Sequence, residues 1–206
     1  MRWVLMLSLV ALSGCVSELL QETQDTVRNH MCAMRDPEVR VELVLHGIDH
    51  VAAAEAALDA LAEAVDKDRT LFSVSTEQAP EDVEAWFEEV VRLDGDQLFL
   101  HVLPGEDPLV DLWRPGILLL ADVDQETARI LLMHGLGHAF GVVNAGTPFN
   151  DTVTEGREGP QHHEPSPRSV MHAGWHHHET RPETDANYTS YSAAIQDDWR
   201  AAEVCP

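Results

Sequence analysis

An uninterrupted apolar run, Gly116-Ile-Leu-Leu-Leu-Ala121, leads almost directly into a helix-forming stretch that contains His134-Gly-Leu-Gly-His138-Ala-Phe-Gly141. This succession constrains the chain more than any other feature. A strand without polar alternation predicts burial on both faces, and so a layered α/β architecture. Asp122 and Asp124 stand where the first free amides of a helix need an acceptor. Histidines four residues apart share one helical face, one turn from each other. That spacing lets both imidazoles reach a single zinc ion at about 2.0–2.1 Å. Thr127, Ile130, Leu131 and Gly141 continue the same stripe, while Leu132, Leu136 and Phe140 fall on other faces suited to a core. Gly135 and Gly137 each weaken the helix by about 1 kcal/mol relative to alanine. Close approach of another segment, or loss of a functional side chain, would account for Gly135.

Upstream, strands alternate with helices. Val39 to Leu45 alternates and is valine-rich, which predicts a strand. Asp49 is placed to cap an alanine-rich helix running to about Val65, whose broad apolar face suits a sheet. Leu71 to Ser75 predicts a short strand. Pro80-Glu-Asp-Val opens a further helix, with proline in its first turn and Trp86, Phe87, Val90, Val91 and Leu93 on its buried side. Asp94-Gly95 marks a turn. Leu98-Phe-Leu-His-Val-Leu103 predicts a strand closed by Pro104-Gly105. The composition changes after Gly141: residues 144–184 are rich in Gly, Pro, His, Asp and Glu, an irregular stretch of the kind that carries function or stays unstructured. Tyr188-Thr-Ser190 then precedes a last helix, about Tyr191 to Val204, with Ile195 and Trp199 inward.

The chain of 206 residues has 36 acidic against 13 basic side chains, a formal charge of −23. Such a balance argues against nucleic acid as a partner, because a polyanion repels it. Its first residues read as an address. Arg2 supplies a positive start, and Trp3 to Leu12 is an apolar run too short to span a bilayer comfortably. The run ends in Leu12-Ser13-Gly14-Cys15, which resembles the lipobox of bacterial lipoproteins. That resemblance implies a signal peptide over 1–15, a lipidated Cys15 and attachment to the membrane by acyl chains. Val16-Ser17 lacks the aspartate of inner-membrane retention, so the resemblance points to the outer membrane of the cell envelope. Residues 16–36 then form a polar tether and 37–206 the domain. Cys32 and Cys205 remain, and an exported compartment allows them to pair. The bridge would join the start of the domain to its last turn, contributing on the order of 4–5 kcal/mol for so long a loop. Two buried free thiols are the alternative.

The domain resembles a metzincin, and within that clan a matrixin-type metallopeptidase. The family pattern is His-Glu-x-x-His-x-x-Gly-x-x-His followed by a methionine turn. His134, His138 and Gly141 match it in register. Ser169-Val170-Met171-His172 resembles the Met-turn, and Ser192-Ala-Ala-Ile195-Gln196 resembles the start of the closing helix. The resemblance implies an α/β (α+β) fold: a mixed twisted sheet with two long helices, a small irregular lower subdomain holding the Met-turn, and a C-terminal helix. It implies zinc as cofactor, a floor beneath the metal from Met171, and a peptide or protein bound in extended form along an edge strand within about 97–121. Two positions depart from the pattern. Gly135 occupies the place of the glutamate that takes the proton from metal-bound water. Asn144 occupies the third ligand position, offering an amide oxygen where zinc prefers imidazole, thiolate or carboxylate. His172 is a substitute ligand to consider, as are His162, His163 and the run His176-His177-His178. Glu164, with Glu155 and Glu158, is a substitute base to consider. The expectation is a lipid-anchored pseudopeptidase that binds peptides or a partner. The alternatives are an active zinc endopeptidase with a replacement base and a structural acidic lipoprotein with a vestigial metal site.

Overall fold

The computed structural model describes residues 32–83, 85, 86, 93, 94, 96–106, 110–114, 116–140, 170, 171, 191 and 196. Its elements in chain order are β1 (Arg40–His46), α1 (Val51–Val65), β2 (Phe72–Glu77), β3 (Leu93–Asp94), β4 (Gln97–Gly105), β5 (Val110–Arg114), β6 (Ile117–Ala121) and α2 (Gln125–Ala139). A helical turn over 32–35 precedes β1, and a single 3-10 turn, Arg69–Leu71, leads into β2. The architecture is mixed α/β. The sheet runs β2-β1-β4-β6-β5, with β3 paired to the start of β4. Four of these strands are parallel, whereas β5 runs antiparallel to β6 and stands last in the order.

Register decides which side chains meet. Val41, Leu43 and Leu45 of β1 lie level with Leu98, Leu100 and Val102 of β4, and all six belong to one buried cluster with α1 and α2. Side chains alternate across a pleated strand, so this face carries the main core. Ala53, Ala54, Ala57, Ala60, Ala62 and Ala64 are buried on α1, and small residues let that helix lie close to its neighbours. The helix stops at Asp66, which takes φ 56° while the next amide, of Lys67, bonds back to the Ala62 carbonyl at 3.0 Å. This is the left-handed ending usual for a helix that turns sharply away. Arg69 ties the following turn to α1 through Glu55 and Asp59.

Several expectations need correction. His50, not Asp49, is the N-cap of α1, and it makes no side-chain cap bond. β1 extends one residue further than Leu45, which brings His46 into the strand. The helix expected from Pro80 is capped by Asp82, whose carboxylate accepts from the Ala85 amide at 3.1 Å; residues 83, 85 and 86 are helical. Pro104 and Gly105 do not close β4 but continue it, opposite Leu120 and Ala121. The reason is local. Pairing of β4 with β1 ends at Val102, so Pro104 has a neighbour on one side and its missing N–H is tolerated. Leu93, expected on the helix from Pro80, and Asp94, expected in a turn, instead form β3 opposite Leu98 and Gln97, and β5 is a further strand that the sequence pattern does not mark. β5 turns back into β6 through a two-residue connection in which Gly116 takes φ 82°, a conformation that glycine adopts without strain.

Candidate metal centre

Of the two aspartates that the sequence offers as a cap, the second opens α2. Asp124 is the N-cap: its carboxylate accepts from the Thr127 amide at 3.0 Å and from the Thr127 hydroxyl at 2.7 Å. Leu131, Leu132, Met133, Leu136 and Ala139 are buried, so the helix is enclosed on most sides rather than amphipathic.

His134 is fully buried. Its Nδ1 lies 2.7 Å from the Val170 carbonyl oxygen. A carbonyl can only accept, so Nδ1 carries the proton and the Nε2 lone pair points elsewhere. It points at His138: the two Nε2 atoms are 3.0 Å apart, with ring centroids at 4.7 Å. Only one proton fits between them. A metal ion in that place, bound at about 2.0–2.1 Å by both rings in tetrahedral geometry, would set the nitrogens roughly 3.3 Å apart. A small ring rotation covers the difference, and the carbonyl that fixes His134 is the kind of outer partner that ligating histidines use. The two donors therefore fit a shared zinc ion. Among the described residues no group of three His, Cys, Asp or Glu side chains surrounds a common point. Asn144, His172, Glu164 and the other histidines proposed as ligands lie outside the described residues.

Met171 comes to the same turn of helix. A Cβ on Gly137 would stand 2.4 Å from the Met171 sulfur and 2.8 Å from its methyl, with a Tyr191 ring carbon at 3.3 Å. Gly137 is thus the gap into which the thioether fits. Tyr191 donates its hydroxyl to the Met133 carbonyl at 2.5 Å and is buried, which pushes its phenol above the ordinary value. Three separated pieces of chain, at 134–138, 170–171 and 191, meet on the C-terminal half of α2.

Gly135 faces the sheet. A Cβ there would lie 3.0 and 3.1 Å from the two Leu118 methyls and 3.1 Å from a Val110 methyl. The side chains of β6 and β5 fill the space where a residue-135 side chain would begin. Close approach of another segment, one of the two accounts offered for this glycine, is present.

A second histidine pair was missed by the sequence reading. His46 Nε2 and His101 Nδ1 are 2.9 Å apart, with the rings 1% and 5% exposed. Trp86 stands edge-on to both, at 4.9 and 5.0 Å between centroids. A signal was present: His101 is the one polar residue within Leu98 to Leu103. Its partner comes from another strand 55 positions away, which only the register reveals.

Cys32 is disulfide-bonded; Cys205, its expected partner, and Cys15 lie outside the described residues, as does the leader. No helix among the described residues is long and apolar enough to cross a membrane. No protein-family profile, curated protein or solved structure matches the chain.

Proposed function

We propose that this chain is a lipid-anchored, metzincin-like protein of the cell envelope that holds zinc through His134 and His138 and binds extended peptide segments without cutting them. One observation carries the reading: two convergent imidazole nitrogens 3.0 Å apart, one ring locked by the Val170 carbonyl, with Met171 packed on the same helical turn. A sheet with an antiparallel outer strand and two long helices on one face agrees with the metzincin pattern. Asn144 or His172 would complete the ligand set. Bound zinc would supply Lewis-acid polarisation of a peptide carbonyl.

The missing base supports binding over cleavage. Loss of a positioned general base typically lowers a rate by about 10²–10⁴. Here the position carries no side chain, and the methyl ends of Leu118 and Val110 stand 3.0–3.1 Å from where a Cβ on Gly135 would begin. β5, which carries Val110, is one of the two edge strands, and Val110 packs at Gly135, the residue after His134. An extended peptide added along such a strand is held by main-chain hydrogen bonds and needs no catalytic group.

The test is zinc binding and peptide turnover by the purified full chain. Micromolar or tighter zinc binding that disappears in His138→Ala, with no cleavage of casein, is the expected result. Failure of the native chain to bind zinc sinks the metal assignment. Cleavage abolished by a chelator sinks the non-cutting assignment and favours a base from elsewhere, such as Glu164.

A further inference from the structure

Away from the helix layer, the opposite face of the sheet carries a second and smaller buried layer. Val44, Leu103 and Ile117 are buried there, on the same strand faces as His46 and His101. Trp86, from the helical turn that Asp82 caps, covers the two imidazoles edge-on.

The protons of this pair can be counted. Two neutral rings bring two protons to four nitrogens. One must lie between His46 Nε2 and His101 Nδ1, since a second there would set two donors 2.9 Å apart. The other is better placed on His46 Nδ1, which faces the Gln78 carbonyl at 3.4 Å, than on His101 Nε2, which is buried and has no hydrogen-bond partner among the described residues. His101 therefore donates from Nδ1, and its Nε2 keeps a lone pair in an apolar setting. A third proton has one place to go, His101 Nε2. Arriving there, it makes a cation with an unsatisfied donor under Trp86, and burying such a charge is costly.

The geometry points to an acid-released latch: the His46–His101 pair holds the Trp86 segment on the sheet while both rings are neutral, and uptake of a proton frees that segment. The charged groups around the pair do not offset this. Glu77, at the end of β2, places a carboxylate 3.7 Å from His46 Nδ1, but it is largely exposed and on the far side of the pair from His101 Nε2. Glu42 of β1, on the same face, is engaged by the Gln97 amide of β4 at 2.7 Å. β6 offers apolar Ile117 and Leu119, and Asp82 is occupied as the cap of the helical turn. Burial first, and then the neighbouring His46 imidazole, hold the His101 imidazole down at about 4 from an ordinary 6.5. The latch involves neither His134 nor His138, and it stands or falls apart from the zinc assignment.

Hydrogen–deuterium exchange of the full chain at pH 7.5 and pH 5.0, corrected for intrinsic rates, reads the latch directly. A ring at about 4 when docked and at 6.5 when released predicts a loss of protection of roughly 30-fold at pH 5.0 for peptides spanning 82–86, with α2 unchanged. In His101→Phe the pH-dependent loss should vanish. Equal protection at both pH values, or an undiminished loss in His101→Phe, overturns the proposal. Should that variant fail to fold, NMR titration of the native imidazoles decides. Loss of the Trp86 ring contacts together with protonation of His101 upholds the latch, and His101 titrating at its ordinary value with Trp86 still docked refutes it.

Discussion

Two histidine pairs lie in two layers of this protein, and their nitrogens are almost equally close: 3.0 Å between His134 and His138, 2.9 Å between His46 and His101. What surrounds them differs. In the helical pair a backbone carbonyl fixes the proton of one ring on Nδ1, so its Nε2 meets the facing Nε2 of His138 as an acceptor. In the sheet pair the outer contact is a long 3.4 Å approach to a carbonyl, and the far nitrogen of His101 faces apolar surroundings. The first arrangement is the one proposed to hold a metal, and the second is the one proposed to share a proton. Proximity of imidazoles therefore does not define their chemistry; the groups that orient the outer nitrogens do.

The comparison breaks most sharply on metal. Structural zinc sites release roughly 10–16 kcal/mol over four ligands, so one lost imidazole should weaken binding by on the order of 10²–10³-fold. His138→Ala should show that loss in a competition titration with a chromophoric chelator, and His46→Ala should show none. Equal losses in both would mean that the sheet pair also binds metal.

Proton binding should give the next largest effect, with the opposite assignment. The folded His101 sits near 4 and the unfolded ring near 6.5, so between those values the unfolded chain binds more protons. Its contribution is complete above pH 6.5 and is lost as pH falls toward 4, a difference of about 3 kcal/mol at about 1.4 kcal/mol per pH unit. Urea unfolding at pH 7 and pH 4.5 should show this excess acid sensitivity in the native chain relative to His101→Phe. Identical sensitivity would remove the distinction between the pairs.

The two glycines of α2 sharpen the helical side. Gly137→Ala drives a methyl into the Met171 sulfur and should destabilise by about 1–3 kcal/mol in denaturant unfolding. Gly135→Ala meets only the ends of Leu118 and Val110 at 3.0–3.1 Å, and a helix-propensity gain of about 1 kcal/mol opposes that crowding. Its net effect should stay within about 1 kcal/mol of zero. In the double variant Gly135→Glu with Leu118→Ala, room is made for a carboxylate. Metal-dependent proteolysis appearing there, and absent from the native chain and from Leu118→Ala alone, would show that the missing carboxylate at 135 is what keeps the site from cutting.

Much of the helical region was readable in advance because its determinants are local. An aspartate cap at 122 or 124, the apolar positions of α2, the i, i+4 histidines and the end of α1 at Val65 all follow from contacts within a turn or two of chain. β1, β4 and β6 were readable from runs of valine, leucine and isoleucine. β5 was not, because Val110 to Arg114 mixes charged and apolar residues without clear alternation, and it is a strand by virtue of pairing with β6. β4 was read too short because proline usually stops a strand, and only its place beyond the end of β1 permits it here.

Sequence spacing by itself put His134 and His138 on one helical face, since a helix fixes the relation of residues four apart whatever surrounds it. Tertiary structure decided the rest. It brought the Val170 carbonyl and Met171 to that helix from more than 30 positions away, gave Gly135 and Gly137 their separate packing reasons, and joined His46 to His101 across two strands. The physical reason is that the chemistry of an imidazole depends on which groups its nitrogens face. Facing across long stretches of chain is set by sheet register and helix packing rather than by local order.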